Sequence, residues 1–226
     1  VGTAQVAAIH EAGRLATERW GEPSRSQRPR RVDELPITIT ADEALALGPE
    51  IRPGSTALAV GGDDLGLIPV AMDEVVTGPR RSGRSTALAF GARTALVGGA
   101  RLVLVLPRRS PVTALGGRDG VAAVLGPDTK PNELRDALKE RRTETLLVDD
   151  FDVLGNDHPL GPVFEEHLKA CRDAPGGVLI TCGIDEIGGM YRGIIAQVRK
   201  NRTGLILAPR NMDDGAHLSV RLPRSI

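Results

Sequence analysis

At 226 residues, with 41% hydrophobic and 26% charged residues, the chain is long enough for one large α/β domain plus an extension. Lysine plus arginine and aspartate plus glutamate balance at 29 each, which excludes a globally basic nucleic-acid-binding surface. The aromatics are only Trp20, Phe90, Phe151, Phe164 and Tyr191, too few for a base-stacking single-strand binder, and no apolar run approaches the ~18–20 residues of a membrane span.

In chain order, residues 1–20 pattern as a helix with a thin apolar stripe of Val6, Ile9, Gly13 and Trp20. Residues 21–31, rich in Pro, Ser and Arg, read as an extended linker, so the domain is expected to occupy residues 32–226. Within it, 32–77 reads as a β-rich lead-in and 78–226 as a nucleotide-binding core. Residues 36–39 predict a short strand and 41–47 a short helix capped by Thr40 or Asp42. Residues 56–60 and 67–72 predict a hairpin across the glycines of 61–66. The Asp63-Asp64 pair there reads as a turn before it reads as a calcium site.

From Val75 the pattern alternates between strand and helix. Strands are expected at 75–77, 101–106, 145–148, 177–181 and 203–207, and helices at 85–97, 132–142, 162–172 and 191–198. The strands are apolar at nearly every position, as in a parallel sheet covered on both faces. This order predicts an open parallel sheet with helices on both sides.

Residues Gly78, Pro79, Arg80, Arg81, Ser82, Gly83, Arg84, Ser85 and Thr86 match the phosphate-binding pattern G-x-x-x-x-G-K-[ST], except that Arg84 stands in the lysine position. Backbone N–H groups and the start of the following helix stabilise an anion in such a loop. Arginine is longer, planar and forked, so the exchange is not conservative. Lysine occurs only at Lys130, Lys139, Lys169 and Lys200, so a general shift toward arginine is a second explanation. Arg80 and Arg81 read either as further anion contacts or as a solvated loop surface.

The strand at 145–148 runs into Asp149 and Asp150. In phosphate-loop ATPases the first acid helps hold Mg²⁺, with Ser85 as the expected partner ligand, and the next orients the attacking water. Asp150 is one methylene shorter than the usual glutamate, and a carboxylate about 1 Å short costs on the order of a hundredfold in rate. The alternative reading makes both acids a strand cap. Thr181 ends its strand on the same expected sheet edge, either as a sensor of the terminal phosphate or as a plain polar strand end. His167 and Cys171 share a helix face, which reads as a half-buried face before a metal site.

With loop, acids and topology in place, the chain resembles the FtsK/SpoIIIE ATPases. It is most similar to the degenerate C-terminal modules of type VII secretion ATPases of the EccC kind. The likeness is carried by GPRRSGRSTAL (78–88), LVLVLPRRSPVTAL (102–115), LLVDDFDVL (146–154) and RTGLILAPRNMDDGAHLSVRLPRS (202–225). It implies a RecA-like three-layer P-loop fold with a mainly parallel sheet, and ATP with Mg²⁺ as ligand. It also implies a cytoplasmic module of a membrane-anchored parent, beside neighbouring ATPase modules, with a secreted protein bearing a C-terminal signal as partner. By position, Gly78, Gly83, Arg84, Ser85 and Thr86 contact phosphate and Mg²⁺, Asp149 and Asp150 are the acids, and Thr181 matches the sensor threonine.

Three departures from the family pattern stand out: Arg84 for lysine, Asp150 for glutamate, and Cys182-Gly183 for the Gln-Arg that follows the sensor threonine. The expectation is a nucleotide-binding, weakly hydrolysing module that serves substrate recognition or regulation of protein export. The alternative is an active motor translocating double-stranded DNA, against which neutral charge and the altered sensor run count.

Overall fold

A computed structural model describes residues 2–24, 34–48, 51–62, 65–138 and 144–223. Helix α1 (Gly2–Trp20) buries none of its residues and is laced on one side by Arg14 paired with Glu11 and Glu18. Residues 34–40 lead into α2 (Ala41–Ala46), which Thr40 and Glu43 close with a reciprocal capping box. The expected strand at 36–39 is not formed: Ile-Thr-Ile has strand composition, but the segment pairs with no strand among the described residues and Ile37 is fully exposed.

The antiparallel hairpin of β1 (Ser55–Gly61) and β2 (Gly66–Ala71) forms as expected, with its Asp63-Asp64 tip outside the described residues. β3 (Glu74–Gly78) follows almost at once and leads through the loop into α3 (Arg84–Val97). Gly91 lets hairpin and helix approach, since a Cβ there would stand 2.7 Å from Leu58 and 3.1 Å from Leu179. Thr56 and Thr94 fasten that contact, the Thr56 hydroxyl donating to the Gly91 carbonyl at 2.7 Å and the Thr94 hydroxyl accepting the Ala57 N–H at 2.9 Å.

Beyond α3 come β4 (Arg101–Val105), β5 (Val121–Leu125), α4 (Pro131–Ala137), β6 (Glu144–Val148), α5 (Phe151–Leu154), α6 (Gly161–Ala170), β7 (Gly177–Gly183), α7 (Ile184–Ile187), α8 (Gly193–Val198) and β8 (Gly204–Ile206). Six strands form one wholly parallel sheet in the order β5-β4-β6-β7-β3-β8. The second half of the expected 132–142 helix lies mostly outside the described residues. α8 starts at Gly193 rather than Tyr191, whose ring is exposed.

Alternate side chains explain why these strands are apolar throughout. Along β4, Leu102 and Leu104 pack with Leu88 and Ala92 of α3, whereas Val103 and Val105 join Phe164 of α6 and Ile195 of α8 on the opposite face. Full burial of each such side chain stabilises by about 1.5–3 kcal/mol relative to exposure. The result is a three-layer α/β architecture with its strand carboxyl ends gathered on one edge.

Candidate functional site

Register decides which residues meet on that edge. Val76 lies beside Thr181 and Gly78 beside Gly183 in the β3–β7 pair, while Val148 lies beside Ile180 in the β6–β7 pair. The strand that carries Thr181 therefore runs between the loop strand and the acid-bearing strand, and Gly78, Asp149, Asp150 and Thr181 come together where ligands bind in open α/β sheets.

The loop itself is tightly turned. A Cβ on Gly78 would stand 2.5 Å from Ser82 Oγ and 2.7 Å from the Leu207 carbonyl oxygen, so that position has no room for a side chain. Gly83 caps α3 at φ 94°, a left-handed conformation that favours glycine. A cavity of about 750 Å³ opens over the loop, lined by Arg80, Arg81, Ser85, Thr86, Arg108 and Asp150 among others. Pro79 faces a second, smaller cavity together with Arg80, Asp185 and Arg210.

Arg84 does not extend freely into the cavity. Its side chain is 6% exposed, donating through Nη1 to the Gly78 carbonyl at 3.2 Å and through Nη2 to Asp150 Oδ1 at 2.9 Å, with Asp152 a further 3.8 Å contact. Asp150 Oδ2 accepts from Arg108 Nε at 2.6 Å. Both oxygens of the second acid are thus held by guanidinium groups, and the Asp150 hydrogen bond holds the Arg108 cation above its ordinary pKa.

Thr181 joins the two acids. Its hydroxyl accepts the Asp150 N–H at 2.6 Å and donates to Asp149 Oδ1 at 2.7 Å. That bond accompanies a left-handed Asp150, at φ 49° and ψ 55°. Behind it, Asp152 Oδ1 accepts the Gly183 N–H at 3.0 Å. A Cβ on Gly183 would overlap Glu186 Oε2 and stand 3.0 Å from Arg84 Nη1, so the enclosure of Arg84 depends on the missing side chain.

The surroundings suit a Mg²⁺–polyphosphate in part. Asp149 is buried and its Oδ2 has no hydrogen-bond partner among the described residues; Ser82 Oγ, beside Gly78, is likewise buried and unpartnered among them. An orphaned carboxylate oxygen is costly unless something satisfies it, and a hard cation takes oxygen ligands. Arg80, Arg81, Ser85 and Thr86 supply cationic and hydroxyl groups around the anion's place. The lysine's usual contribution, a free point charge, is lacking because Arg84 is already paired.

Sequence reasoning missed Arg108 and Asp152. The available signal for Arg108 was Pro107-Arg108-Arg109 directly after a buried strand, which puts cations at a strand carboxyl end. Away from this edge, His167 Nε2 lies 3.0 Å from the Glu144 carbonyl oxygen and 3.4 Å from Cys171 Sγ, an internal arrangement rather than a ligand set. No cluster of three or more metal-binding side chains occurs among the described residues, and no described helix is long and apolar enough to cross a membrane. An apolar cavity of about 660 Å³, lined by Leu35, Ile39, Leu58 and Phe90, adjoins the loop and shares Gly83 and Thr86 with the cationic cavity.

No family model and no curated protein matches the sequence. Among solved structures, the cytoplasmic domain of EssC superposes with a TM-score of 0.65 at 13% identity, over 89% of this chain and 44% of that one. The cytoplasmic domain of the Thermomonospora curvata type VII secretion ATPase EccC gives 0.55 at 19% identity, over 79% of this chain and 26% of that one. EccC ATPases 2 and 3 from the same organism, in complex with a signal sequence peptide, give 0.54 at 19%, over 74% and 38%. The chain spans less than half the length of each of these three proteins. Its fold is the RecA-like α/β fold of these EccC and EssC cytoplasmic ATPase domains.

Proposed function

We propose that this chain is a nucleotide-binding, weakly hydrolysing ATPase module of a type VII secretion ATPase, with residues 32–226 as the module and 1–31 as a helix and linker. The carrying observation is the buried Arg84–Asp150 pair inside a loop that keeps its glycines and hydroxyls. A water-orienting acid must reach the water, and Asp150, one methylene shorter than glutamate, is held back by its buried pair with Arg84. Asp150 has one oxygen on Arg84 and the other on Arg108.

In this reading the nucleotide is Mg-ATP. Loop amides of 78–86 and the start of α3 hold its phosphates, and Ser85 and Asp149 hold Mg²⁺, which supplies charge neutralisation at the phosphates. The nucleoside end runs past Thr86 into the apolar cavity beside Phe90, which supports the reading because the two cavities share Gly83 and Thr86. The module then serves recognition of an exported protein's C-terminal signal, or regulation of its neighbours, in a membrane-anchored parent on the cytoplasmic side. EccC ATPases 2 and 3 with a bound signal sequence peptide are the precedent in a protein of the same fold.

Titration with Mg-ATP and a steady-state phosphate-release assay test this together. Binding at or below millimolar ATP, with turnover well under the ~1–100 s⁻¹ of efficient phosphoryl-transfer enzymes, is expected. Turnover within that range, or stimulation by duplex DNA, contradicts it.

A further inference from the structure

Arg84 and Arg108 hold the same carboxylate but differ in character. Arg84 is 6% exposed and is also anchored on the Gly78 carbonyl and near Asp152. Arg108 is 44% exposed, and its Nε contact to Asp150 is its one hydrogen bond among the described residues, so its terminal nitrogens are uncommitted. It stands just after β4 (Arg101–Val105), ahead of the short 3-10 turn Pro111–Leu115, and lines the cationic cavity with Ser85 and Thr86.

The charges of that cavity are lopsided. Arg80, Arg81, Arg84 and Arg108 line it against a single carboxylate, Asp150. Asp150 thus acts as an internal anion, bridging two guanidiniums as two oxygens of a phosphate would. Its backbone is fixed in the left-handed region, with its N–H bonded to Thr181. If Arg108 turns toward a ligand, Asp150 cannot follow.

We propose that Arg108 is an anion-binding residue of the phosphate cavity held in reserve by Asp150, and that the terminal phosphate of a bound nucleoside triphosphate takes it over. This rests on the nucleotide-binding reading above. A triphosphate carries more negative charge than a carboxylate, and arginine matches phosphate oxygens with a planar fork. The exposed arginine exchanges partners while the buried one stays. Arg108 thereby distinguishes nucleoside triphosphate from diphosphate, while Asp150 stays paired with the buried Arg84.

The test is calorimetric titration of the full chain with ADP and with a non-hydrolysable ATP analogue, both with Mg²⁺, for wild type, Arg108→Gln, Asp150→Asn and the double variant. Arg108→Gln is expected to weaken the triphosphate analogue about tenfold and ADP less than about threefold. Asp150→Asn is expected to tighten the analogue about tenfold, but less than about threefold when Arg108 is already glutamine. Equal tightening in both backgrounds would mean simple charge repulsion and overturn the proposal. So would an Arg108→Gln chain that binds both ligands as wild type does, a result independent of whether Asp150→Asn folds. Absence of binding in wild type and every variant sinks the nucleotide reading as well. Binding by wild type without these shifts sinks the Arg108 proposal alone.

Discussion

Arg84 and Asp150 lie 2.9 Å apart in a buried ion pair, so the two exchanges against the usual phosphate-loop ATPase pattern touch each other. Here a longer cation faces a shorter acid across that contact. The two departures are one structural change.

Arg84→Lys and Asp150→Glu are each expected to destabilise the fold by about 1–3 kcal/mol, and the double variant by less than their sum. Turnover is expected to rise at least about tenfold only in the double variant, once a lysine and a full-length acid are both present. Urea denaturation and phosphate release read the two effects. Strict additivity of the stability losses would dissociate the two substitutions.

Thr181→Val removes the hydroxyl that serves both acids and leaves the Asp150 N–H and Asp149 Oδ1 unpaired. A loss of about 1–3 kcal/mol in stability follows from each stranded buried group at most, with weaker Mg²⁺-dependent nucleotide binding beside it. Thr181→Ser keeps the hydroxyl and is expected to retain most of both properties. Indistinguishable serine and valine variants would show that the bridge contributes nothing.

The parallel sheet was legible because its runs at 102–105, 145–148 and 177–181 are apolar on both sides, a pattern that only double burial explains. β5 was not legible. Its Val-Ala-Ala-Val-Leu is wholly apolar, but its two alanines have little strand preference and the segment is only half-buried at the sheet edge. The segment at 36–39 failed in the opposite sense, having strand residues without a partner strand. Loop, acids and Thr181 were legible as types at expected offsets. That Arg84 faces Asp150 rather than a ligand, and that Arg108 completes the cluster, are long-range contacts that no local spacing encodes.

Glu74 is buried at the far end of β3, and burial pushes its carboxyl from an ordinary 4.5 up to about 7. The folded chain keeps this proton longer than the unfolded chain does. The stability this group contributes is therefore complete below about pH 4.5 and lost as pH rises through about 7. Glu74→Gln stays neutral and is expected to lose less stability than wild type between about pH 5 and pH 8. Coincident pH profiles in urea denaturation would remove Glu74 from the account.

Burial raises the Cys171 thiol to about 11 and the Cys182 thiol to about 12, leaving little thiolate near neutrality. Neither is expected to react with a water-soluble disulfide reagent at pH 8 until denaturant is added. Prompt labelling of native protein would show that the packing around these thiols opens.

The central claim is retention of nucleotide with little turnover at 78–86. Its most direct test is to incubate excess protein with Mg-ATP, isolate the complex and identify the bound nucleotide by chromatography. ATP as the main bound nucleotide after about ten seconds is the predicted result. Complete conversion to ADP within that time, or no nucleotide at all, would contradict it.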